Sequence, residues 1–148
     1  MTAFVTAGAG FLLAVLWFDL MFDVQVARHR EPPEAVLASI AGYYARVTTA
    51  ARPMNRLIAA VMVATPAAIV AQIAGGDDPR WAGWVSLALA AVPILLAATR
   101  TLPSAVRLGT RRDGAELQGR LARTILTEHI ICSAAIVALL VVQLAAAP

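Results

Sequence analysis

Cysteine and lysine are the residues that this sequence lacks most clearly. Of its 148 residues one is cysteine, Cys132, and none is lysine, so all twelve basic residues are arginine. A single cysteine excludes an intrachain disulfide and any zinc or iron–sulfur site built on several cysteine ligands. The sequence also lacks a phosphate-binding loop, a Ser-His-Asp pattern and a haem-attachment motif. Enzymes that depend on those motifs are therefore excluded.

Charge is scarce as well, and apolar residues take its place. Charged residues make up 14% of the chain and hydrophobic residues 60%, with a mean hydropathy of +0.75, well above the apolar share of ordinary soluble domains. A net charge of +3 and a pI near 10.0 would suit nucleic acid, but the arginines lie between apolar runs. That pattern is typical of membrane orientation. We therefore expect membrane lipids as partners, and no nucleic acid.

Four stretches are long and apolar enough to cross a bilayer as helices, which takes about 20 residues each. They cover residues 3–26, 53–74, 80–101 and 114–146. Residues 34–50 place apolar side chains on one helical face and predict a short helix that lies at the membrane surface or caps the bundle. The predicted fold class is all-α, an integral membrane four-helix bundle with one domain over residues 1–148. The first run has no basic leader and no convincing cleavage site, so we interpret it as a retained helix.

Local signals predict where these helices end and how they pack. The segment Gly75-Gly76-Asp77-Asp78-Pro79 predicts a tight turn between the second and third helices. Asp113, followed three residues later by Glu116, predicts an N-cap with a capping box for the last helix. In helix one, small residues at helical spacing predict the face that packs against its neighbours, namely Ala3, Ala7, Gly10 and Ala14.

The arginines are divided very unevenly between the two sides of the predicted spans. Arg80 is the only one in the connection between the second and third helices, and the other eleven lie in the first and third connections. Since short arginine-rich loops stay cytoplasmic, we expect those two connections in the cytoplasm and both termini on the non-cytoplasmic side of the cell (inner) membrane. The eleven are Arg28, Arg30, Arg46, Arg52, Arg56, Arg100, Arg107, Arg111, Arg112, Arg120 and Arg123.

Few ionisable residues lie inside the predicted spans, where each costs roughly 2.5–3.5 kcal/mol at the bilayer centre, and those that do are clustered. Asp19 and Asp23 share one face near the end of helix one, and Glu128 and His129 lie near the start of helix four. Because helix one descends to the cytoplasm and helix four ascends from it, all four should lie at a similar depth. Residues at the matching ends of helices two and three complete a predicted ring, namely Asn55, Arg56 and Arg100.

Three interpretations of this ring are open. The acids can pair with arginines and only lock the helices together. Alternatively, the ring can line a pocket near the cytoplasmic leaflet, with His129 as a general base and Asp19 or Glu128 as its partner. A metal site for iron or manganese is the third interpretation, but the paired Glu-x-x-His motifs of bundle di-metal sites are missing. We therefore assign no metal and no other cofactor.

The order of these features resembles the small four-helix membrane proteins grouped with the anthrone oxygenases. The likeness covers the acidic and basic end of helix one, Tyr43-Tyr44, Pro53-Met54-Asn55, the stretch RTLPSAVRL at 100–108, and the last helix LARTILTEHIICSAAIVALLVVQL. The family pattern at the end of helix three and the start of helix four is matched by Arg100, Pro103 and His129. Asp19 and Asp23 depart from the family, in which a less acidic end of helix one is expected.

This resemblance implies a cofactor-free oxygenase that converts an anthrone to an anthraquinone in a lipophilic pocket. His129 would remove a proton from an acidic carbon so that the carbanion can meet oxygen. The expected catalytic residues are His129, Asp19, Asp23 and Glu128, and the expected substrate-binding residues are Asn55, Arg56, Arg100 and Tyr44. The alternative is a non-catalytic accessory or assembly subunit, partnered by its own copies or by a larger membrane complex.

Overall fold

The chain is described by a computed structural model over residues 1–50, 52–76 and 79–147, so Asp77 and Asp78 of the predicted turn lie outside the described residues. Within these ranges the chain forms helices and no strand. The α-helices are α1 (Thr2–Ala27), α2 (Glu34–Ala45), α3 (Arg52–Gly75), α4 (Arg80–Leu96), α5 (Leu102–Gly109) and α6 (Ala115–Ala145). Two π-helical turns, at Arg46–Ala50 and Ala97–Thr101, follow α2 and α4.

Four of the helical segments are long and apolar enough to cross a membrane. They are Thr2–Ala27, Pro53–Gly75, Arg80–Gly109 and Ala115–Ala145. Helix α1 packs against α3 and α6, and α4 packs against the same two helices. The four spans therefore surround one common core. The prediction of an all-helical chain with four candidate membrane spans is confirmed.

The third span runs further than residue 101, where the sequence predicted its end. It continues from α4 through the turn Ala97–Thr101 into α5 and ends at Gly109. The Leu102 N–H donates to the carbonyl of Ala97 in a wide bond of the π type. Pro103 then falls in the first turn of α5, directly after this π turn, and such local π adjustments let a membrane helix accommodate proline. The predicted end was therefore too early, because this proline continues the helix after a π turn.

The start of α6 differs from the predicted capping box. Its N-cap is Gly114, and no side chain caps the helix there. Asp113 instead accepts two hydrogen bonds from Arg107, at 2.8 Å from Nε and 2.9 Å from Nη2, and this guanidinium holds the pKa of the carboxyl below its ordinary value. Glu116 pairs with Arg120 at 3.1 Å. The capping-box prediction was wrong because charge-assisted, bidentate pairing occupies the acid that would have capped the helix.

The predicted packing face of helix one was also wrong. All four small residues of the predicted face are exposed, namely Ala3, Ala7, Gly10 and Ala14. The face that packs is one or two positions away, with Val5, Ala9 and Leu12 buried. On that side α1 and α3 approach closely, because a Cβ added to Gly8 would lie only 2.3 Å from Oγ1 of Thr65. A stripe of small residues suits lipid as well as a neighbouring helix, so its spacing alone does not identify the packing face.

Two apolar clusters fill the core, one toward each end of the bundle. The cluster at the arginine-rich end contains Val26, Ile40, Tyr44, Leu108 and Ile125. The other contains Val5, Leu12, Ile69, Ile136 and Leu139. Helix α2 covers the first cluster because it packs against α1, α5 and α6. Along α1 and α6, the predicted site residues Asp19, Asp23 and His129 lie between the two clusters.

Candidate functional site

A buried bond between Asp23 and His129 forms the centre of the candidate site. Because α1 and α6 pack side by side, the end of α1 lies against the first half of α6, which contains His129. Nδ1 of His129 lies 2.7 Å from Oδ2 of Asp23, and the two side chains are 8% and 0% exposed. An ionised carboxylate only accepts hydrogen bonds, so we assign the imidazole proton to Nδ1. The neutral ring then carries its free lone pair on Nε2.

Two adjacent tyrosines of α2 each serve one aspartate of α1. The Tyr44 hydroxyl donates to Oδ1 of Asp23 at 2.7 Å, and the Tyr43 hydroxyl donates to Oδ1 of Asp19 at 2.6 Å. Burial, followed by the charge of these carboxylates, raises the pKa of both phenols above the ordinary value. Both hydroxyls therefore stay protonated and act as donors. Phe22 stacks on the Tyr43 ring, with 4.1 Å between ring centroids.

Asp19 faces the other side of the imidazole. Its Oδ2 lies 3.9 Å from Nε2 of His129, and its side chain is 14% exposed. The arrangement places a fixed carboxylate behind the ring and a second carboxylate near the nitrogen that is free to take a proton. A histidine held in this way can accept a proton and be stabilised as the imidazolium.

Glu128 belongs to a separate cluster. Consecutive residues of an α-helix point about 100° apart, so Glu128 and His129 face different neighbours. Oε2 of Glu128 accepts a hydrogen bond from the Thr101 hydroxyl at 2.8 Å. Its Oε1 lies 3.1 Å from Nε of Arg100 as an ion pair, without hydrogen-bond alignment. The structure therefore does not bring Glu128 into hydrogen-bond contact with His129, as the predicted ring required.

Three of the predicted substrate-binding residues lie away from His129. Asn55 is half-buried and Arg56 is exposed. Within the described ranges, neither side chain makes a hydrogen bond or an ion pair. Arg100 pairs with Glu128, and Tyr44, the fourth, holds Asp23 from a buried position. The predicted ring is thus divided into an Asp19–Asp23–His129 cluster and an Arg100–Glu128 cluster.

Neither of two cavities in the bundle is lined by His129. One of about 590 Å³ opens at the end that holds Thr2 and Ala146, and one of about 340 Å³ opens beside Glu128. The larger cavity lies at the opposite end of the bundle from the buried acids, so its size does not indicate that it is the functional site.

The described part of the chain contains no cluster of side chains that could serve as metal ligands. No group of three or more His, Cys, Asp and Glu side chains is arranged there to hold a metal ion. In the cluster around His129, both oxygens of Asp23, one oxygen of Asp19 and Nδ1 of the imidazole already take part in hydrogen bonds.

Comparison with known proteins adds no relative. No protein-family model, curated protein or solved structure matches this chain.

Several polar residues in contact were not predicted from the sequence. Tyr43 and Thr101 were not among the predicted site residues, although each donates to a predicted acid. At the other end of the bundle, Gln72 and Gln143 exchange hydrogen bonds of 3.2 and 3.3 Å. This amide pair extends to the hydroxyls of Thr2 and Ser86. The positions of Gln72 and Gln143 within apolar runs were the signal that could have identified the pair, because a polar side chain within a span needs a partner.

Proposed function

We propose that this chain is a multi-pass membrane protein in which His129 acts as a general base on a lipophilic molecule that has an acidic carbon. The observation that carries the proposal is the 2.7 Å bond between Nδ1 of His129 and Oδ2 of Asp23. This bond fixes the ring so that Nε2 is the proton acceptor. The resemblance to the anthrone oxygenases supplies the substrate class, which is an anthrone oxidised to an anthraquinone.

The proposed reaction starts with transfer of a proton from the methylene carbon of the anthrone to Nε2. The carbanion then reacts with dioxygen, which is the oxidant. The methylene carbon becomes a second carbonyl group, and the other oxygen atom leaves as water together with both methylene hydrogens. Asp23 and Asp19 stabilise the imidazolium that forms, since Asp19 lies 3.9 Å from Nε2.

Access to Nε2 in this proposal runs from the lipid through the side of the bundle. Asp19 and Tyr43 are the cluster members that are partly exposed. The stacked Phe22 and Tyr43 rings stand beside this route. A lipophilic substrate dissolved in the bilayer would enter when these rings move aside.

The proposal includes a membrane orientation. The arginine-rich end of the bundle lies in the cytoplasm, both termini lie outside, and α2 lies at the inner surface of the cell membrane. Single cysteines test this orientation in a Cys132→Ser background. An impermeant thiol reagent should label Ala147→Cys on intact cells and Arg112→Cys only after permeabilisation. The reverse pattern would reject the orientation.

Turnover in lipid nanodiscs tests the enzymatic part. The protein is given an anthrone in air, and the anthraquinone is followed by its absorbance. Wild-type protein should form product, and His129→Ala should lose at least 99% of the rate. His29→Ala is the matched control, because the His29 side chain lies outside the cluster, and it should keep the rate. Absence of turnover in well-folded wild-type protein with a series of anthrones would reject the proposal.

A second candidate function is that of an accessory or assembly subunit in a larger membrane complex or homo-oligomer. It is favoured by one observation, since His129 lines neither cavity and its Nδ1 is bonded to a buried acid of another helix. In that case the cluster holds α1, α2 and α6 together. A defined complex that co-purifies equally with wild-type protein and with folded His129→Ala, together with no turnover, would support this function.

A further inference from the structure

The cavity of about 340 Å³ beside Glu128 takes no part in the proposed reaction. It lies between the third span and α6, and its lining combines two guanidinium groups, a buried acid, two hydroxyls and two apolar side chains. These residues are Arg100, Arg123, Glu128, Thr124, Thr127, Leu96 and Ile131. Its volume is within the range of ordinary ligand sites.

The guanidinium of Arg100 is oriented from behind by the buried acid. Nε of Arg100 lies 3.1 Å from Oε1 of Glu128, whose side chain is 5% exposed, whereas the Arg100 side chain is 64% exposed. The Thr101 hydroxyl holds the other carboxylate oxygen. Because Nε meets the acid, the two terminal nitrogens of Arg100 remain for a ligand. A planar fork held in this way suits a phosphate group.

Arg123 approaches the same cavity from α6 and is also held by the fold. Its Nη2 donates to the backbone carbonyls of His29 and Arg30. These carbonyls fix its position, and they are not charged, so they do not neutralise it. Glu128 offsets one of the two positive charges, and the lining keeps a net charge of about +1. Such a lining favours a ligand with one negative charge.

The depth of the cavity identifies the source of that charge. Arg80 and Arg100 are 20 residues apart in one continuous helical span, a rise of about 30 Å, which equals the hydrocarbon thickness of a bilayer. Arg100 therefore lies at the level of the lipid headgroups. Ile131 in the lining is 46% exposed, and Leu96, also in the lining, is partly exposed, which suits contact with acyl chains. Free phosphate has no apolar part that could contact these apolar side chains.

We infer that this cavity binds the phosphate of an anionic glycerophospholipid, held by Arg100 and Arg123 with its acyl chains along Leu96 and Ile131. Glu128 is a positioning residue for Arg100. The inference does not depend on the proposed activity of His129. Basic pockets between membrane-spanning helices are known to hold lipid headgroups in this manner.

Native mass spectrometry of the whole protein in detergent tests the site. The protein is titrated with phosphatidylglycerol, with phosphatidylcholine and with inorganic phosphate. Wild-type protein should bind one phosphatidylglycerol at least tenfold more tightly than phosphatidylcholine. Arg123→Ala and the double variant Arg100→Ala/Glu128→Gln should each weaken phosphatidylglycerol about tenfold. The double variant leaves no buried acid unpaired, so loss of folding does not obscure its result.

Arg56→Ala is the matched control, because Arg56 is an exposed arginine at the same end of the bundle. It should change the affinity less than threefold. An equal loss in Arg56→Ala would show that general surface charge attracts the lipid and would overturn the inference. Inorganic phosphate that binds as tightly as the lipid would overturn it as well, since the site would then not recognise a phospholipid.

Discussion

Replacement of Asp23 by asparagine perturbs the centre of the site with almost no change in size. The carboxylate is fully buried and accepts bonds of 2.7 Å from both Tyr44 and His129. An amide can keep one acceptor, but it carries no charge. Whichever way the amide turns, the imidazolium that forms during proton transfer loses a buried counter-charge.

The expected magnitudes differ for stability and for rate. Charge-assisted hydrogen bonds are about twice as strong as neutral ones, so weakening the two bonds should lower the free energy of unfolding by about 1–2 kcal/mol. In a Ser-His-Asp triad the same substitution lowers turnover by about 10⁴. Here Asp19 remains 3.9 Å from Nε2 and keeps part of the stabilisation. We therefore expect a loss of about 10²–10³ in rate, which is roughly 2.7–4 kcal/mol in the barrier.

The assay is anthrone turnover in nanodiscs, with thermal unfolding measured on the same samples. Asp113→Asn is the control, because it removes the same charge from a site outside the cluster, and its rate should match wild type. A folded Asp23→Asn variant whose rate is within threefold of wild type would refute the role assigned to this carboxylate. A variant that loses stability by several kcal/mol would show that the bond is chiefly structural.

Two further predictions concern packing far from the imidazole. Gly8→Ala should lower the free energy of unfolding by about 1–3 kcal/mol, because the added Cβ would lie 2.3 Å from Oγ1 of Thr65. Gly10→Ala is the control and should be nearly neutral, since nothing lies within 4 Å of its added Cβ. Equal thermal unfolding of the two variants would contradict the close approach of α1 and α3. Gln143→Leu should lower the free energy of unfolding by about 1–3 kcal/mol, because it leaves Gln72 without its reciprocal partner. Anthrone turnover should be unchanged. A turnover rate that falls while stability is intact would contradict a purely structural role for Gln143.

The spans could be predicted from the sequence because they depend on local composition. A run of about 20 apolar residues is sufficient to predict a membrane helix, and the four runs reappear in the structure. The end of the third span could not be read in the same way. Proline ends most helices, but here a π turn before Pro103 allows the helix to continue. Helix α5 also packs against α2, a contact that composition does not reveal.

The site was predicted less completely, because its bonds join residues far apart in the chain. Depth along the helices was sufficient to suggest that Asp23 and His129 could meet. Depth alone could not show that Glu128, one residue before His129, turns toward Arg100 and Thr101, although the 100° step of an α-helix already separates the two side chains. Tyr43 could be assigned to Asp19 only once the position of α2 was known.

Anaerobic mixing of the protein with an anthrone tests most directly whether His129 accepts the substrate proton. Without oxygen the reaction stops after proton transfer, so the coloured anthrone carbanion should accumulate in proportion to wild-type protein and to His29→Ala, and not with His129→Ala. Equal carbanion absorbance with His129→Ala, or none with wild-type protein that forms anthraquinone in air, would contradict the proposed base.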